Sequence, residues 1–177
     1  MKRTKNATYT IALVAIMAAS IECAKLALAA IPNVEAVTLL IALYSYTFGA
    51  PTLAATLVFV MIEPLIWGVG PWIISYFIYW PTLAVVFIFL GKIGVKRRPI
   101  LTLTACILTV LFGFISSAVD VGLFSGYFDN FLYRFFVYYA RGVSFYITQI
   151  VTNLFLFAFL FSPLHSVLLK IKNKRGT

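Results

Sequence analysis

Eight side chains stand where an otherwise apolar chain has least reason to carry them: Glu22, Lys25, Glu63, Tyr76, Trp80, Tyr146, Gln149 and Asn153. Ionisable groups inside membrane-length apolar runs are costly and default to a functional role. Glu22 and Lys25 share one helical face with Ala18 and Ala29 by three- and four-residue spacing. They can pair with each other, as a structural ion pair or as the wall of a pocket. Glu63 stands just before Pro64, and proline frees a backbone carbonyl and bends a helix. Glu63 either reaches the membrane interface or serves a ligand. Trp72, Tyr76 and either Tyr79 or Trp80 form an aromatic stripe. Trp67 and Trp72 suit an interfacial belt, whereas Trp80 is too deep for one and presents a face on which a flat ring can stack. Tyr146, Gln149 and Asn153 recur on a single face beside Thr148 and Thr152. Amides so placed either hold helices together or read the hydrogen-bonding edge of a ligand. The chemistry implied is recognition of a small, ring-containing molecule.

Catalysis finds no such support. His165 is the only histidine, which excludes a two-histidine haem site, and no motif ties a serine to it. The chain has no HExxH, P-loop or paired-aspartate pattern. Cys23 and Cys106 lie singly inside apolar runs, without CxxC spacing, and free cysteine there packs as a small hydrophobe. No enzyme activity, cofactor or metal is expected.

The elements that must position these residues follow from composition. Apolar residues make up 63% of the 177 and charged residues 11%, against about 45–50% and about 25% in soluble domains. So few charges cannot cover a soluble surface. A cytosolic enzyme, a disordered chain and a secreted disulfide scaffold are therefore excluded. At about 20 residues per span, the length allows roughly six membrane helices. The expected fold is an all-α integral membrane protein, a bundle of six transmembrane helices forming a single domain over residues 1–177. The spans are expected at about 7–31, 34–48, 52–67, 72–90, 100–119 and 142–169. Breaks fall at Pro32-Asn33, Gly49-Ala50-Pro51, Gly68-Val69-Gly70-Pro71 and the basic stretch 91–99. The second span is short and must sit where protein or a thinned bilayer accommodates it. Residues 120–141 read as a long aromatic and charged connection. It holds Tyr127, Asp129, Asn130, Tyr133, Arg134, Tyr138 and Arg141, and it could cover a pocket opening outward.

The net charge of +9 comes from clusters flanking apolar runs: Lys2, Arg3 and Lys5, then Lys92, Lys96, Arg97 and Arg98, then Lys170, Lys172, Lys174 and Arg175. That placement signals membrane orientation rather than a nucleic-acid partner. With both termini cytoplasmic, eleven of the fourteen basic residues fall inside. Arg134 and Arg141 fall outside, and Lys25 lies within the first span. Glu22, Glu35, Glu63, Asp120 and Asp129 all land in outer halves or outer loops. The N-terminal basic residues, apolar stretch and Ala27-Leu28-Ala29 imitate a cleavable signal peptide, but Glu22 and Lys25 interrupt the apolar stretch.

Six spans, cytoplasmic termini and about 180 residues without a catalytic motif resemble the substrate-binding S-components of energy-coupling factor (ECF) vitamin transporters. Ala12, Ala15 and Ala19 resemble the alanine motif by which such subunits dock on a membrane coupling subunit. Ile31-Pro32-Asn33-Val34-Glu35 and Glu63-Pro64-Leu65-Ile66-Trp67-Gly68 look like outer-loop stretches of that family. Asn153 with Ser162-Pro163-Leu164 is similar to its last helix. The resemblance implies a plasma-membrane protein of a prokaryote that binds a vitamin or related micronutrient from outside. It implies partnership with a coupling subunit and two ATPases, whose hydrolysis drives toppling and release inside. Family substrates include riboflavin, thiamine, biotin, folate, pantothenate, cobalamin and queuosine precursors. Two other classes stand beside this one. A stand-alone small transporter or channel usually shows repeated halves, and no repeat is evident. A membrane-embedded enzyme or assembly subunit needs a reactive cluster.

Overall fold

A computed structural model describes residues 2–126 and 128–174, so Tyr127 and Arg175 lie outside the described residues. Among those described, the chain is all helix without strands. The helices are α1 (Lys2–Leu28), α2 (Val37–Phe48), α3 (Pro51–Trp67), α4 (Trp72–Lys92), α5 (Arg98–Val119), α6 (Phe131–Phe159) and α7 (Phe161–Asn173), with a π-helical turn at Asp120–Phe124. Four helical stretches have the length and composition to cross a membrane: Ala7–Leu28, Trp72–Lys92, Arg98–Phe124 and Phe131–Phe159. Their outward faces carry exposed Ile11, Phe89, Leu103 and Phe155, as an apolar solvent requires.

Helix α2 is the hub. Its 12 residues rise about 18 Å, well short of a hydrocarbon core of about 30 Å. It packs against α1, α3, α4, α6 and α7. Val37, Leu39, Ile41, Ala42 and Leu43 are all buried. A helix apolar all round is a buried helix, and protein rather than lipid surrounds this one. Close packing sets one sequence constraint. A Cβ on Gly91 would stand 2.6 Å from the Tyr46 carbonyl oxygen, so α4 meets the end of α2 only because residue 91 has no side chain.

The last third differs from the expected division. The segment 120–141 is mostly helical rather than a loop. Helix α5 runs on through the π turn, a short link carries Gly126 and Asn130 at positive φ, and α6 already begins at Phe131. The cause is an aromatic ridge. Phe131, Phe135 and Tyr139 recur at spacing four and stack along α6, with centroids 5.8 and 6.1 Å apart. Phe114 of α5 packs 5.1 Å from Phe135 and 5.0 Å from Tyr139. Arg134, Tyr138 and Arg141 punctuate that helix and disguise it as a loop. The single span expected over 142–169 is also two helices, broken at Leu160. Pro163 lacks an N–H and crowds the carbonyl four residues earlier, which is that of Phe159.

Alternation of the helices gives the bundle two unlike ends. Loop 93–98, the end of α2 and α7 meet at one end: Tyr46 donates to the Val95 carbonyl at 3.0 Å, and Lys172 donates to the Thr47 carbonyl. The five carboxylates fall toward the other end.

Candidate functional site

At the carboxylate-rich end, the α1–α2 connection folds over a cavity of about 280 Å³ walled by α1, α2, α4, α5, α6 and the end of α3. Its shape begins with a charge. The Lys25 ammonium forms a salt bridge with Glu63 of α3, which is wholly buried. Three rings surround that ammonium, Tyr76 at 5.1 Å, Trp67 at 5.6 Å and Phe59 at 5.8 Å from their centroids. Aromatic faces attract a cation electrostatically. The pairing expected between Glu22 and Lys25 is therefore replaced by one between helices. A buried Glu63 without a partner would be an uncompensated charge, and the flexible lysine stem reaches it. Glu22 remains beside the pair, within electrostatic reach of both Lys25 and Glu63 and with its carboxylate oxygens buried.

The aromatic wall comes from α4. Trp72, Tyr76 and Trp80 make successive edge-to-face contacts at 5.1 and 5.6 Å, so the stripe exists as one surface. Tyr79 packs 4.7 Å from Trp80 and 4.9 Å from Phe112 of α5. Trp80 is buried, and its indole N–H has no partner. An interfacial belt residue would be wet at that tip. Trp67, half exposed, stands at the rim.

The polar groups come from elsewhere. Glu35 accepts from the Thr38 N–H at 2.9 Å and from the Thr38 hydroxyl at 2.6 Å. It thereby satisfies an N–H of the first turn of α2, which helix starts leave unpaired. Burial pushes the Glu35 carboxyl above its ordinary value. Its hydrogen bonds with Thr38, the Val37 N–H and the charge of Lys25 act in the opposite direction. Asn33, Thr109 and Gln149 complete the hydrogen-bonding lining.

Lys25, Tyr76, Trp80 and Gln149 thus line one cavity, and Glu63 lies directly behind Lys25. Asn153 does not line it. Its amide is fully buried and donates to the Thr109 hydroxyl at 3.0 Å, holding α6 to α5 and fixing a lining residue. Tyr146 turns away, 5.2 Å from Tyr139 and against Gly113 and Gly142. None of the described residues of 120–141 lines the cavity; the cover is 29–35 instead. Glu35, Thr38, Tyr79, Thr109 and Phe112 were not among the expected site residues. Of these, Glu35, a carboxylate in an apolar connection, and Tyr79, the alternative member of the aromatic stripe, carried a signal in the sequence. Among the described residues, no three metal-ligating side chains converge. Comparison with family models, characterised proteins and solved structures gives no match.

The ion pair has a measurable signature. Lys25→Met strands a buried carboxylate and should cost about 3–5 kcal/mol. Adding Glu63→Gln to that background should recover a large part of the loss. Thermal unfolding of the four-protein cycle in detergent measures this. Simply additive losses would show that the two side chains do not answer one another.

Proposed function

We propose that the chain is a six-span substrate-binding membrane subunit of the ECF type, taking up a small ring-bearing micronutrient at the outer face. The supporting observation is the cavity beneath residues 29–35, in which an aromatic wall faces a set of hydrogen-bonding groups around Lys25. Its volume is at the small end for ligand sites, which span roughly 300–1,000 Å³. It suits one or two fused rings and is too small for cobalamin. Lys25 is already answered by Glu63, so no spare positive charge awaits an anion. Glu35 adds a carboxyl to the lining. An uncharged or basic ring with N–H groups fits best. In this reading α2 and α3 count as spans despite their length, because α2 is sheathed by protein. Both termini are cytoplasmic, as the segregation of charge favours.

Binding is tested on purified protein with a panel of ring-bearing vitamins, read by quenching of Trp67 and Trp80. Gln149→Leu removes one polar lining group from a half-buried position. It should weaken binding by about tenfold to a hundredfold, the worth of roughly 1–3 kcal/mol for an unmet hydrogen bond. Asn153→Ala should chiefly lower thermal stability. If neither variant changes affinity for a ligand that binds the native protein, the cavity is not the site.

The docking reading also has a surface. Ala12, Ala15 and Ala19 are exposed, while Met17, Ala18 and Ile21 of the same helix are buried. The alanine strip therefore does not pack inside this chain. Within lipid, close backbone approach is what small residues permit. Ala15→Trp with Ala19→Trp should leave folding and ligand binding intact in detergent. It should abolish co-purification with a coupling subunit and ATPases. Normal assembly by that variant removes the strip as the docking face.

Orientation is tested in a background of Cys23→Ala and Cys106→Ala. A membrane-impermeant thiol reagent applied to intact cells should label Asp129→Cys and spare Arg97→Cys. The reverse pattern would invert the topology and place the cavity on the wrong side for uptake.

A further inference from the structure

A second cleft, of about 250 Å³, lies at the opposite end of the bundle between loop 93–98 and α7. Lys96 and Arg98 line it on one side, and Ser162, His165 and Ser166 on the other. Its floor is apolar, made by Tyr46, Leu101 and Phe161. Tyr46 is fixed there by its bond to the Val95 carbonyl and by edge contacts with Phe161 at 5.7 Å and His165 at 4.9 Å. The Nδ1 atom of His165 is buried without a hydrogen-bond partner. Lys92, Arg97, Lys170 and Lys172 crowd the same end, and no Asp or Glu among the described residues lies there to neutralise them. The cleft therefore holds positive charge and an unmet polar group over an apolar base.

We propose that this cleft binds the phosphate of an anionic phospholipid whose acyl chains lie along the adjoining helices. Arg98 offers the planar fork that matches phosphate oxygens, and Lys96 adds a point charge. Basic pockets between membrane helices on the cytoplasmic side suit anionic head groups. The surroundings favour a lipid over a free anion. Leu169, an exposed apolar side chain of α7, lines the cleft itself, and the same two helices carry exposed Ile100, Leu103, Leu164 and Val167 on their other faces. A ligand with a phosphate and hydrocarbon chains satisfies both surfaces; inorganic phosphate satisfies one. The proposal rests on the chain spanning a membrane and is independent of what the other cavity holds.

The full chain, purified in a neutral detergent, is titrated with phosphatidylglycerol, phosphatidylcholine or inorganic phosphate. Retained adducts are read by native mass spectrometry. Phosphatidylglycerol should be retained in preference to phosphatidylcholine, and excess inorganic phosphate should not displace it. Lys96→Gln with Arg98→Gln should lower retention by about tenfold or more. Both side chains are exposed, so the variant should elute like the native protein. Lys92→Gln with Lys170→Gln removes equal charge outside the cleft and should retain the lipid. Equal loss in the two variants would mean diffuse surface attraction and overturn the site. Equal retention of both lipids, or displacement by inorganic phosphate, would overturn the assignment to an anionic lipid.

Discussion

A lysine ammonium inside an apolar bundle persists only if the protein answers its charge, and the carboxylate-rich end of this molecule is arranged around that requirement. Lys25 comes from α1 and its counter-charge from Glu63 of α3; the rings that face it are Phe59 and Trp67 of α3 and Tyr76 of α4. Removing α1 or α3 leaves a buried charge unanswered, which costs several kcal/mol. The pair therefore fixes α1 against α3. In doing so it places one side of Lys25 and Tyr76 on the wall of a cavity.

The second constraint is the shortness of α2. A helix that cannot span the hydrocarbon core must be sheathed, and five other helices sheathe it. The connection from α1 leads directly into the first turn of α2. Residues 29–35 of that connection make the cover over the cavity. The same connection puts Glu35 where the carboxylate can both cap α2 and line the space beneath.

The same chain keeps its charges apart. Carboxylates gather near the cavity end and most cations at the loop 93–98 and α7 end. Two clefts of similar size result, with opposite chemistry. One sets aromatic rings and hydrogen-bonding groups around an already neutralised lysine. The other sets unneutralised cations over an apolar floor, which is why it suits a phosphate and the first does not.

Much was legible in the sequence because an apolar solvent leaves composition few choices. The all-helical class, the breaks at Pro32, Gly49 and Gly68, and the stripe of Trp72, Tyr76 and Trp80 follow from hydropathy and spacing, which are local. The beginning of α6 at Phe131 was hidden, because its ridge of rings shows as a helix only once Phe114 packs against it, while Arg134 and Arg141 read as loop. The partner of Lys25 was likewise undecidable along the chain. Glu22 is three residues away and Glu63 thirty-eight, and only the packing of α1 on α3 makes the distant one the nearer. Spacing could put Gln149 and Asn153 on one face. Tertiary structure decided that one lines a cavity and the other joins two helices, because height within a bundle, not position on a helix face, determines which neighbour a side chain meets.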